Sequence, residues 1–344
     1  MVGILIAELL FGNWLKTNAI EKLRIIKDVN LEFDVSGIYN RTPPFIKYSR
    51  DYYGLRGRHH KPSEIDLLVV GGSTTDQRYI DDDETWDAVL EKCLHAKGKD
   101  INIGNAGVDG RSTKGHISNF KWWFPYIPSF KPKTFLFYIG INDYFIDLEE
   151  RSYDKPFKTD YKENSFSLRL LLSRNSILYD VIRIVYYQFK TKFVFQVSHR
   201  SINFNNLAYT TKGINSGYHT ILEQNLNHYQ QRLNTLITLC KQLGANPVFV
   251  TNPTRNYRIN NGNIEGVAKI QMYGDFPING VDYYYIRAKM DSVTMYAAKK
   301  NNCIGITPPK DLWQDEDFYD YFHMTPKGTL KLGSYLAEQL WKDL

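Results

Sequence analysis

Cysteine is scarce in this chain of 344 residues, which contains only Cys93, Cys240 and Cys303. The three are far apart, form neither a Cys-x-x-Cys nor a Cys/His pattern, and cannot all be paired within one chain. The metal-binding patterns His-Glu-x-x-His and the EF-hand loop are missing as well. The sequence therefore predicts buried free thiols and an activity that requires no metal or other cofactor.

Blocks of like charge are also missing. The chain has 43 basic and 37 acidic residues, a net charge of +6, with no run of five or six like charges. A nucleic-acid-binding protein needs its basic residues clustered on one surface. The segment Lys190–Arg200 mixes basic and aromatic residues, but it is expected to be a solvated strand or the edge of a cap. We therefore expect no nucleic-acid partner.

A long hydrophobic run is the third absence. Residues 1–12 are apolar, but Glu8 interrupts them and they fall short of the roughly 20 residues of a membrane-spanning helix. Three interpretations stay open: the end of a longer membrane anchor, an interfacial helix, and an ordinary buried helix. The expected location accordingly stays open. One alternative is the membrane or cell envelope, with membrane association through this segment, and the other is the cytoplasm.

Hydrophobic residues nevertheless make up 43% of the chain, which is ample for a large core. Aromatic residues reach 15%, including 25 tyrosines. Such content suits stacking surfaces for a sugar or a partner, and it equally suits a plain tyrosine-rich surface. The length fits one α/β domain with insertions as well as two domains.

From residue 65 onward, apolar runs alternate with stretches of helical spacing. The predicted strands are Ile65–Val70, Ile101–Ile103, Thr134–Ile139, Pro247–Thr251 and Cys303–Ile306. The predicted helices are Glu84–Lys97 (its amino end capped by Asp81–Asp83), 113–124, one from about Leu226 to Gly244, Asp282–Lys300 and Lys327–Leu340. This order predicts an α/β fold, a three-layer α/β/α sandwich around a five-stranded parallel sheet.

Two other parts break this alternation. Residues 1–64 are predicted as an amino-terminal extension, helical to about residue 30 and loop-rich from there to Pro62. Residues 65–344 form the main domain, with an insertion or cap at about 145–220 that contains a helix around Ile177–Tyr187. A structureless loop of that length would be unusual in a compact domain.

The turn Gly71-Gly72-Ser73-Thr74-Thr75 follows the first predicted strand. Ser73 therefore lies at the carboxyl edge of the sheet, where α/β proteins usually bind their ligands. The turn lacks the Gly-Lys-Ser/Thr ending of a phosphate-binding loop. Ser73 is thus a candidate nucleophile, with a plain turn as the alternative.

A serine nucleophile needs a base and an acid that orients the base. Asp320 and His323 lie in the loop between the last predicted strand and helix, at the same edge of the sheet. His323 could accept the proton of Ser73, and Asp320 could fix the tautomer of His323. The alternative is a surface histidine beside the acidic loop 315–317.

Acyl transfer also needs hydrogen-bond donors for a developing oxyanion. The candidates are the backbone N–H groups of Ser73 and Gly110 and the side-chain amide of Asn142, each after a predicted strand. Gly110 could instead only form a turn, and Asn142 could only cap a helix. Gly107-x-x-Gly110 lacks the third glycine of a dinucleotide-binding turn.

The order of these four motifs resembles that of the SGNH/GDSL hydrolase superfamily, over about residues 65–145 and 225–340. The resemblance implies a flavodoxin-like fold. It also implies Ser73 as nucleophile, Asp320 and His323 as the rest of a catalytic triad, and Ser73, Gly110 and Asn142 as the oxyanion hole.

One residue departs from the family pattern, because Gly72 stands where Gly-Asp-Ser has aspartate. The Gly-Gly-Ser-Thr-Thr version is similar to a branch of bacterial SGNH-like proteins that often carry an amino-terminal membrane segment and are associated with cell-surface glycans. The resemblance implies an acetylesterase-like serine hydrolase acting on the O-acyl groups of a glycan or another small ester. An O-acetyltransferase with the same triad and a non-catalytic glycan-binding protein remain alternatives.

Overall fold

The computed structural model describes residues 2–12, 14, 23, 25–57, 60–148, 154, 176–179, 181–182, 185–186 and 199–344. The strands are β1 Val29–Asp34, β2 Phe45–Arg50, β3 Leu67–Gly71, β4 Ile103–Gly107, β5 Thr134–Ile139, β6 Tyr209–Thr210, β7 Asn246–Thr251, β8 Tyr257–Asn260, β9 Asn263–Val267, β10 Gln271–Tyr273, β11 Phe276–Ile278 and β12 Ile304–Ile306. The α-helices are α1 Val2–Phe11, α2 Ser73–Asp76, α3 Trp86–Ala96, α4 Thr113–Trp122, α5 His219–Gln242, α6 Gly280–Lys300 and α7 Pro326–Leu340.

A five-stranded parallel sheet with the strand order β12-β7-β5-β3-β4 lies at the centre of the fold. Numbered along the chain, this order is 2-1-3-4-5, that of a flavodoxin-like doubly wound sheet. The chain changes direction across the sheet at β3, which pairs with both β4 and β5. The predicted five-stranded parallel sheet is therefore confirmed, and its switch point lies at the end of β3.

Successive side chains of β3 enter two different cores, because the side chains of a strand alternate between the faces of its sheet. Leu68 and Val70 pack in the core that includes side chains of α5 and α6. Leu67 and Val69 pack in the core that includes side chains of α3 and α7. Helices thus cover both faces, which confirms the predicted three-layer sandwich.

The amino-terminal segment contains a β-hairpin that the sequence analysis does not predict. Strands β1 and β2 pair antiparallel from Val29 opposite Arg50 to Asp34 opposite Phe45. The prediction of a loop after residue 30 is wrong. Val29–Asp34 alternates apolar and polar residues, and its first four residues alternate between buried and exposed, so the period is that of a strand although a continuous apolar run is lacking. The helix predicted to about residue 30 is wrong at its end as well, since residues 25–28 are not helical and β1 begins at Val29. Residues 13, 15–22 and 24 of that prediction lie outside the described residues.

The second strand of the sheet differs from its predicted bounds. It runs over Ile103–Gly107, so residues predicted as a turn belong to the strand. A Cβ atom on Gly107 would lie 2.3 Å from the backbone nitrogen of Asp76. Glycine is used in this strand for a close approach of two backbones, and its turn propensity misled the prediction.

The acidic run Asp81–Asp83 does not cap the next helix. Thr85 is the N-cap of α3, and its side chain accepts a hydrogen bond from the nitrogen of Ala88. Asp82 instead pairs with the guanidinium of Arg56 and accepts hydrogen bonds from Ser49. The run therefore connects the amino-terminal hairpin to the main domain.

The helix predicted around Ile177–Tyr187 lies partly outside the described residues. Residues 177–179, 181–182 and 185–186 are described, and they are helical. In the described part of the chain, no helix combines the length and the apolar character that crossing a membrane requires.

A buried ion pair joins the hairpin to the turn that carries Ser73. Arg50 Nη2 lies 2.6 Å from Asp76 Oδ1, and both side chains are almost fully buried. The hydroxyl of Tyr48 donates to the same oxygen at 2.9 Å. Burial alone would raise the pKa of Asp76, but Arg50, Arg78 and Arg56 lower it below its ordinary value. Asp76 therefore stays ionised at neutral pH.

We expect Arg50→Met to lower the free energy of unfolding by about 3–5 kcal/mol at pH 7, because it leaves the buried carboxylate of Asp76 without its closest cation. Arg41→Met removes a more exposed partner of Glu84 and Asp81 and should cost about 1 kcal/mol or less. Urea unfolding measures both. Because the folded protein holds the pKa of Asp76 below its ordinary value of 3.8, ionised Asp76 stabilises the fold at pH values above 3.8. This stabilisation is lost as the pH falls below 3.8 and through the lowered pKa. The cost of Arg50→Met should therefore shrink in acid, and equal costs for the two variants would contradict this account.

Candidate active site

Ser73 is the first residue of the short helix α2, directly after the end of β3. Gly72 is the N-cap of this helix, and its carbonyl accepts the N–H groups of Thr75 and Asp76. The first N–H groups of a helix have no acceptor within the helix. The Ser73 backbone N–H is therefore a donor at the carboxyl edge of the sheet, beside its own hydroxyl.

Ser73, His323 and Asp320 form a continuous hydrogen-bonded line. Ser73 Oγ lies 2.8 Å from His323 Nε2. On the opposite side of the ring, His323 Nδ1 lies 2.7 Å from Asp320 Oδ2. The structure thus brings Ser73 to Asp320 and His323, which lie about 250 positions later in the sequence.

The Asp320 carboxylate is held by its own loop as well as by the imidazole. Its Oδ1 accepts the backbone N–H groups of Phe322 and His323, each at 2.8 Å. Burial alone would raise the pKa of Asp320, but these bonds and the contact with His323 lower it below its ordinary value. An ionised carboxylate thus faces Nδ1, favours a proton there, and leaves Nε2 free to accept from Ser73.

Asn142 and the turn after β4 converge on Gly72. Asn142 Nδ2 donates to the carbonyl oxygen of Arg111 at 2.8 Å. A Cβ atom on Gly72 would lie 2.5 Å from Asn142 Nδ2, 3.0 Å from Arg111 O and 3.8 Å from Arg111 N. A side chain at Gly72 would therefore displace Asn142, which gives a physical reason for glycine at this position.

Gly110 precedes Arg111 and has a φ of +74°, a left-handed conformation that glycine adopts without strain. The turn therefore requires this residue type. Its neighbour Arg111 lies beside Gly72. Ser73 follows β3, Gly110 follows β4 and Asn142 follows β5, so the segments that carry all three candidate oxyanion residues meet beside Gly72.

Asp143 fixes the loop of Asn142 to the helix after β4. Its Oδ1 accepts the backbone N–H of Thr113 at 3.2 Å and the hydroxyl of Thr113 at 2.5 Å. Arg232 Nη2 of α5 lies 3.6 Å from the same oxygen. Asn142 is therefore carried by a loop whose next residue is buried and bound to two helices.

Two rings that the sequence analysis did not single out pack against the imidazole of His323. The ring of Tyr319 is stacked on it at 5.7 Å with 10° between the planes, and the ring of His199 lies 4.4 Å away. Tyr319 shares its loop with His323, whereas His199 comes from within the predicted insertion. No spacing in the sequence connects residue 199 to residue 323, so only the fold could reveal this contact.

His199 is neutral at neutral pH. Burial and the neighbouring His323 lower its pKa to about 4. Its Nδ1 lies 3.0 Å from the hydroxyl of Tyr319, and burial keeps that hydroxyl protonated by raising the pKa of Tyr319. His199 and Tyr319 therefore share a hydrogen bond between two neutral groups beside the imidazole of His323.

His199, Asp320 and His323 also have the composition of a metal site. In the described part of the chain, their ligand atoms lie within 4.8 Å of one another. The Asp320 carboxylate and His323 Nδ1 already bind each other, so a metal ion would have to compete with that bond.

We expect Asp320→Asn to reverse the tautomer of His323. The two backbone N–H groups that bind Oδ1 would hold the oxygen of the new amide, so that its NH₂ group faces His323 Nδ1. An imidazole nitrogen that faces a donor must accept, which moves the ring proton to Nε2. Nitrogen-15 NMR of the imidazole reads this tautomer directly. The control is His219→Gln, which removes an exposed histidine and should remove one histidine signal while leaving the signal of His323 unchanged. An unchanged tautomer of His323 in Asp320→Asn would contradict the proposed hydrogen bonding.

Comparison with known proteins gives weak likenesses. No family model matches the chain, and no curated protein matches its sequence. Among solved structures, the chain is similar to a protein assigned to the G-D-S-L family of lipolytic proteins from Desulfitobacterium hafniense, with 10% identity, coverage of 79% of this chain and 97% of that one, and a TM-score of 0.42. An acetyl xylan esterase variant from Geobacillus stearothermophilus has 15% identity, 79% and 93% coverage and a TM-score of 0.42. Est24, a carbohydrate acetylesterase from Sinorhizobium meliloti, has 11% identity, 81% and 100% coverage and a TM-score of 0.42.

The site is defined by its own geometry, independently of these likenesses. The chain presents the four motifs in order, a parallel sheet of order 2-1-3-4-5, and the hydrogen-bonded line of Ser73, His323 and Asp320. In these three respects it is similar to the SGNH/GDSL hydrolases.

Proposed function

We propose that this protein is a serine esterase that removes small O-acyl groups, with Ser73 as nucleophile. The observation that carries the proposal is the hydrogen-bonded line from Ser73 Oγ through His323 to Asp320, at the carboxyl edge of the sheet. A hydroxyl becomes a useful nucleophile when an oriented base accepts its proton.

In the proposed reaction, Ser73 Oγ attacks the ester carbonyl as its proton passes to His323 Nε2. The imidazolium that forms is stabilised by the ionised Asp320. His323 then returns the proton to the leaving alcohol, which leaves an acyl group on Ser73. A water molecule, activated by the same imidazole, releases the acid.

The charge that develops on the carbonyl oxygen needs donors fixed in advance. We propose that the backbone N–H groups of Ser73 and Gly110 and the side-chain amide of Asn142 supply them. An amide nitrogen has two N–H groups, and the carbonyl of Arg111 takes one from Asn142. That bond orients the amide and leaves its second N–H for the oxyanion.

For the substrate, we propose an O-acetyl group on a glycan. The resemblance to glycan-associated SGNH-like proteins and the tyrosine-rich composition support this choice. Near the imidazole, Tyr79 and Tyr319 pack against His199. Both rings are buried, so they support the site from behind and leave the sugar-binding surface to other residues. If a sugar hydroxyl replaced water in the second step, the same residues would catalyse acetyl transfer.

We expect Ser73→Ala to lose nearly all turnover of a small chromogenic acetate, because no oxygen nucleophile remains. A fluorophosphonate probe, which reacts with an activated serine, should label the natural protein and fail to label Ser73→Ala. Ser292→Ala is a matched control, since Ser292 is an exposed serine of α6. Its activity and labelling should be unchanged.

Failure of the natural, folded protein to react with the probe would favour a glycan-binding protein without catalysis. Retention of full turnover by Ser73→Ala would exclude Ser73 as the nucleophile.

We expect Asn142→Ala to lower kcat by about 10²–10³ with little change in KM, the range known for loss of one oxyanion donor. The donor acts on charge present in the transition state and absent from the bound ester, which separates it from a residue that only binds substrate. Steady-state kinetics on the same acetate measures both constants. The control is Asn234→Ala, which changes an exposed side chain of α5. A rise in KM without a fall in kcat for Asn142→Ala would contradict the oxyanion role.

A further inference from the structure

A second concave site lies at the carboxyl ends of β7 and β12, outside the line of Ser73, His323 and Asp320. It encloses about 380 Å³, counting the part open to solvent, which is near the lower limit of roughly 300 Å³ for small-ligand sites. Its lining comes from the segment after β7, from Asp291 of α6 and from the segment after β12. We call this site the β7 cleft, and the proposed reaction does not use it.

Three buried polar groups that line the β7 cleft have no hydrogen-bond partner among the described residues. They are the hydroxyl of Thr254, the Nε–H of Arg255 and the indole N–H of Trp313. Their side chains are only 5%, 8% and 6% exposed. A buried donor without an acceptor is costly, and folded proteins contain few of them. A ligand group that enters the cleft would satisfy these donors.

The chemistry of the unpaired groups selects an acceptor. The N–H groups of Arg255 and Trp313 can only donate, and the hydroxyl of Thr254 can donate or accept. An ionised carboxylate only accepts, through both of its oxygens. Hydrogen bonds to such a charged group are stronger than those between neutral groups. The β7 cleft is therefore suited to an oxyanion.

The charges at the cleft leave one cation in excess. Three cations each pair with a carboxylate: Arg255 with Asp315, Arg258 with Glu265 and Arg287 with Asp291. Lys310 forms no ion pair with a described residue, and its Nζ lies 4.0 Å from the centre of the Tyr284 ring. A single positive charge matches a carboxylate better than a phosphate group, which carries about −1.5 to −2 at pH 7.

Asp291 is the one carboxylate among the residues that line the cleft. Burial raises its pKa, and the cations Arg287 and Lys310 both oppose this rise. Two cations thus act on this carboxylate, so it does not make the cleft negative.

The β7 cleft is close to the catalytic residues. Gly71 at the end of β3 lies level with Val250 of β7, two strands away, which is a distance of about 10 Å across a sheet. Asn252, which lines the cleft, donates to the hydroxyl of Thr74 at 3.3 Å. The backbone N–H of Arg255 donates to the carbonyl of Tyr321 at 2.8 Å. The cleft is therefore joined to the residue after Ser73 and to the residue after Asp320.

We infer that the β7 cleft binds the carboxylate of an acidic sugar. Tyr257 and Trp313 also give the cleft ring surface beside its polar groups, the combination found in sites for small polar ligands. The identification of the ligand as a sugar rests on the proposed function, in which Ser73 attacks an acyl group on a glycan. The substrate is then an O-acetylated glycan that contains a uronic acid.

The first test is calorimetric titration of the natural protein at pH 7 with glucuronate, glucose and inorganic phosphate. Glucose has the same ring without the carboxylate, and phosphate is an oxyanion without the ring. We expect saturable binding of glucuronate and at least about tenfold weaker binding of the other two, because a hydrogen bond to a charged group contributes a factor of that size.

The second test removes the unpaired donors one at a time. Thr254→Val keeps the shape of the side chain and Trp313→Phe keeps an aromatic ring, and each should weaken the binding of glucuronate about tenfold. Lys310→Met should weaken it as well, since the excess charge is lost. The matched controls are Thr235→Val and Lys289→Met, which make the same changes at exposed positions of α5 and α6. Both should bind as the natural protein does, and thermal unfolding should show that all variants are folded.

The third test uses an O-acetylated methyl glucuronoside as substrate. Trp313→Phe should raise KM about tenfold with little change in kcat, because the carboxylate is bound equally in the ground state and in the transition state. A fall in kcat without a rise in KM would contradict a binding role.

Four results of the titrations would overturn the inference. They are no binding of glucuronate, equal binding of glucose and glucuronate, tighter binding of phosphate than of glucuronate, and unchanged affinity in both Thr254→Val and Trp313→Phe. The last result would show that the donors bind only water. A protein that binds glucuronate without esterase activity would contradict the proposed function alone, and an active esterase that does not bind glucuronate would contradict this inference alone.

Discussion

The buried ion pair between Arg50 and Asp76 connects the parts of this protein on which the site depends. Asp76 ends the short helix that begins with Ser73, and Arg50 ends the second strand of the amino-terminal hairpin. Arg50 also donates to the carbonyl of Gly107 at 2.5 Å. Gly107 is the last residue of β4, which pairs with β3. A charge buried without its partner is costly, so the pair keeps the hairpin against the turn of Ser73. The amino-terminal segment is therefore part of the framework of the site.

Much of the central fold could be predicted because the sheet consists of continuous apolar runs. Thr134–Ile139 has the predicted bounds, and the other central strands differ from prediction at their ends. The site residues could be predicted from a rule of topology, since the carboxyl ends of parallel strands meet at one edge. Ser73, Asn142 and His323 each follow a strand of this sheet, and that rule brings them together without knowledge of any contact.

Other features depend on contacts between distant residues. The amino-terminal hairpin is held by Arg50, which pairs with Asp76, and by Ser49, which donates to Asp82, and only the folded chain reveals these contacts. Glycines in β4 permit close backbone packing, although in a sequence they predict a turn. His199 lies within the predicted insertion, and its contact with His323 joins two segments that are more than 100 residues apart in the sequence.

Arg111 shows how far the framework of the site extends along the chain. Its carbonyl orients Asn142, and its guanidinium donates to the carbonyl of Leu23 at 2.8 Å, before the first strand. Burial already lowers the pKa of Arg111 to about 10, so the loss of an acceptor would be costly there. A shortened chain that starts after residue 23 would keep every proposed catalytic residue and still alter the support of Asn142. Truncation for the sake of solubility would therefore disturb the support of Asn142, which the positions of the motifs do not reveal.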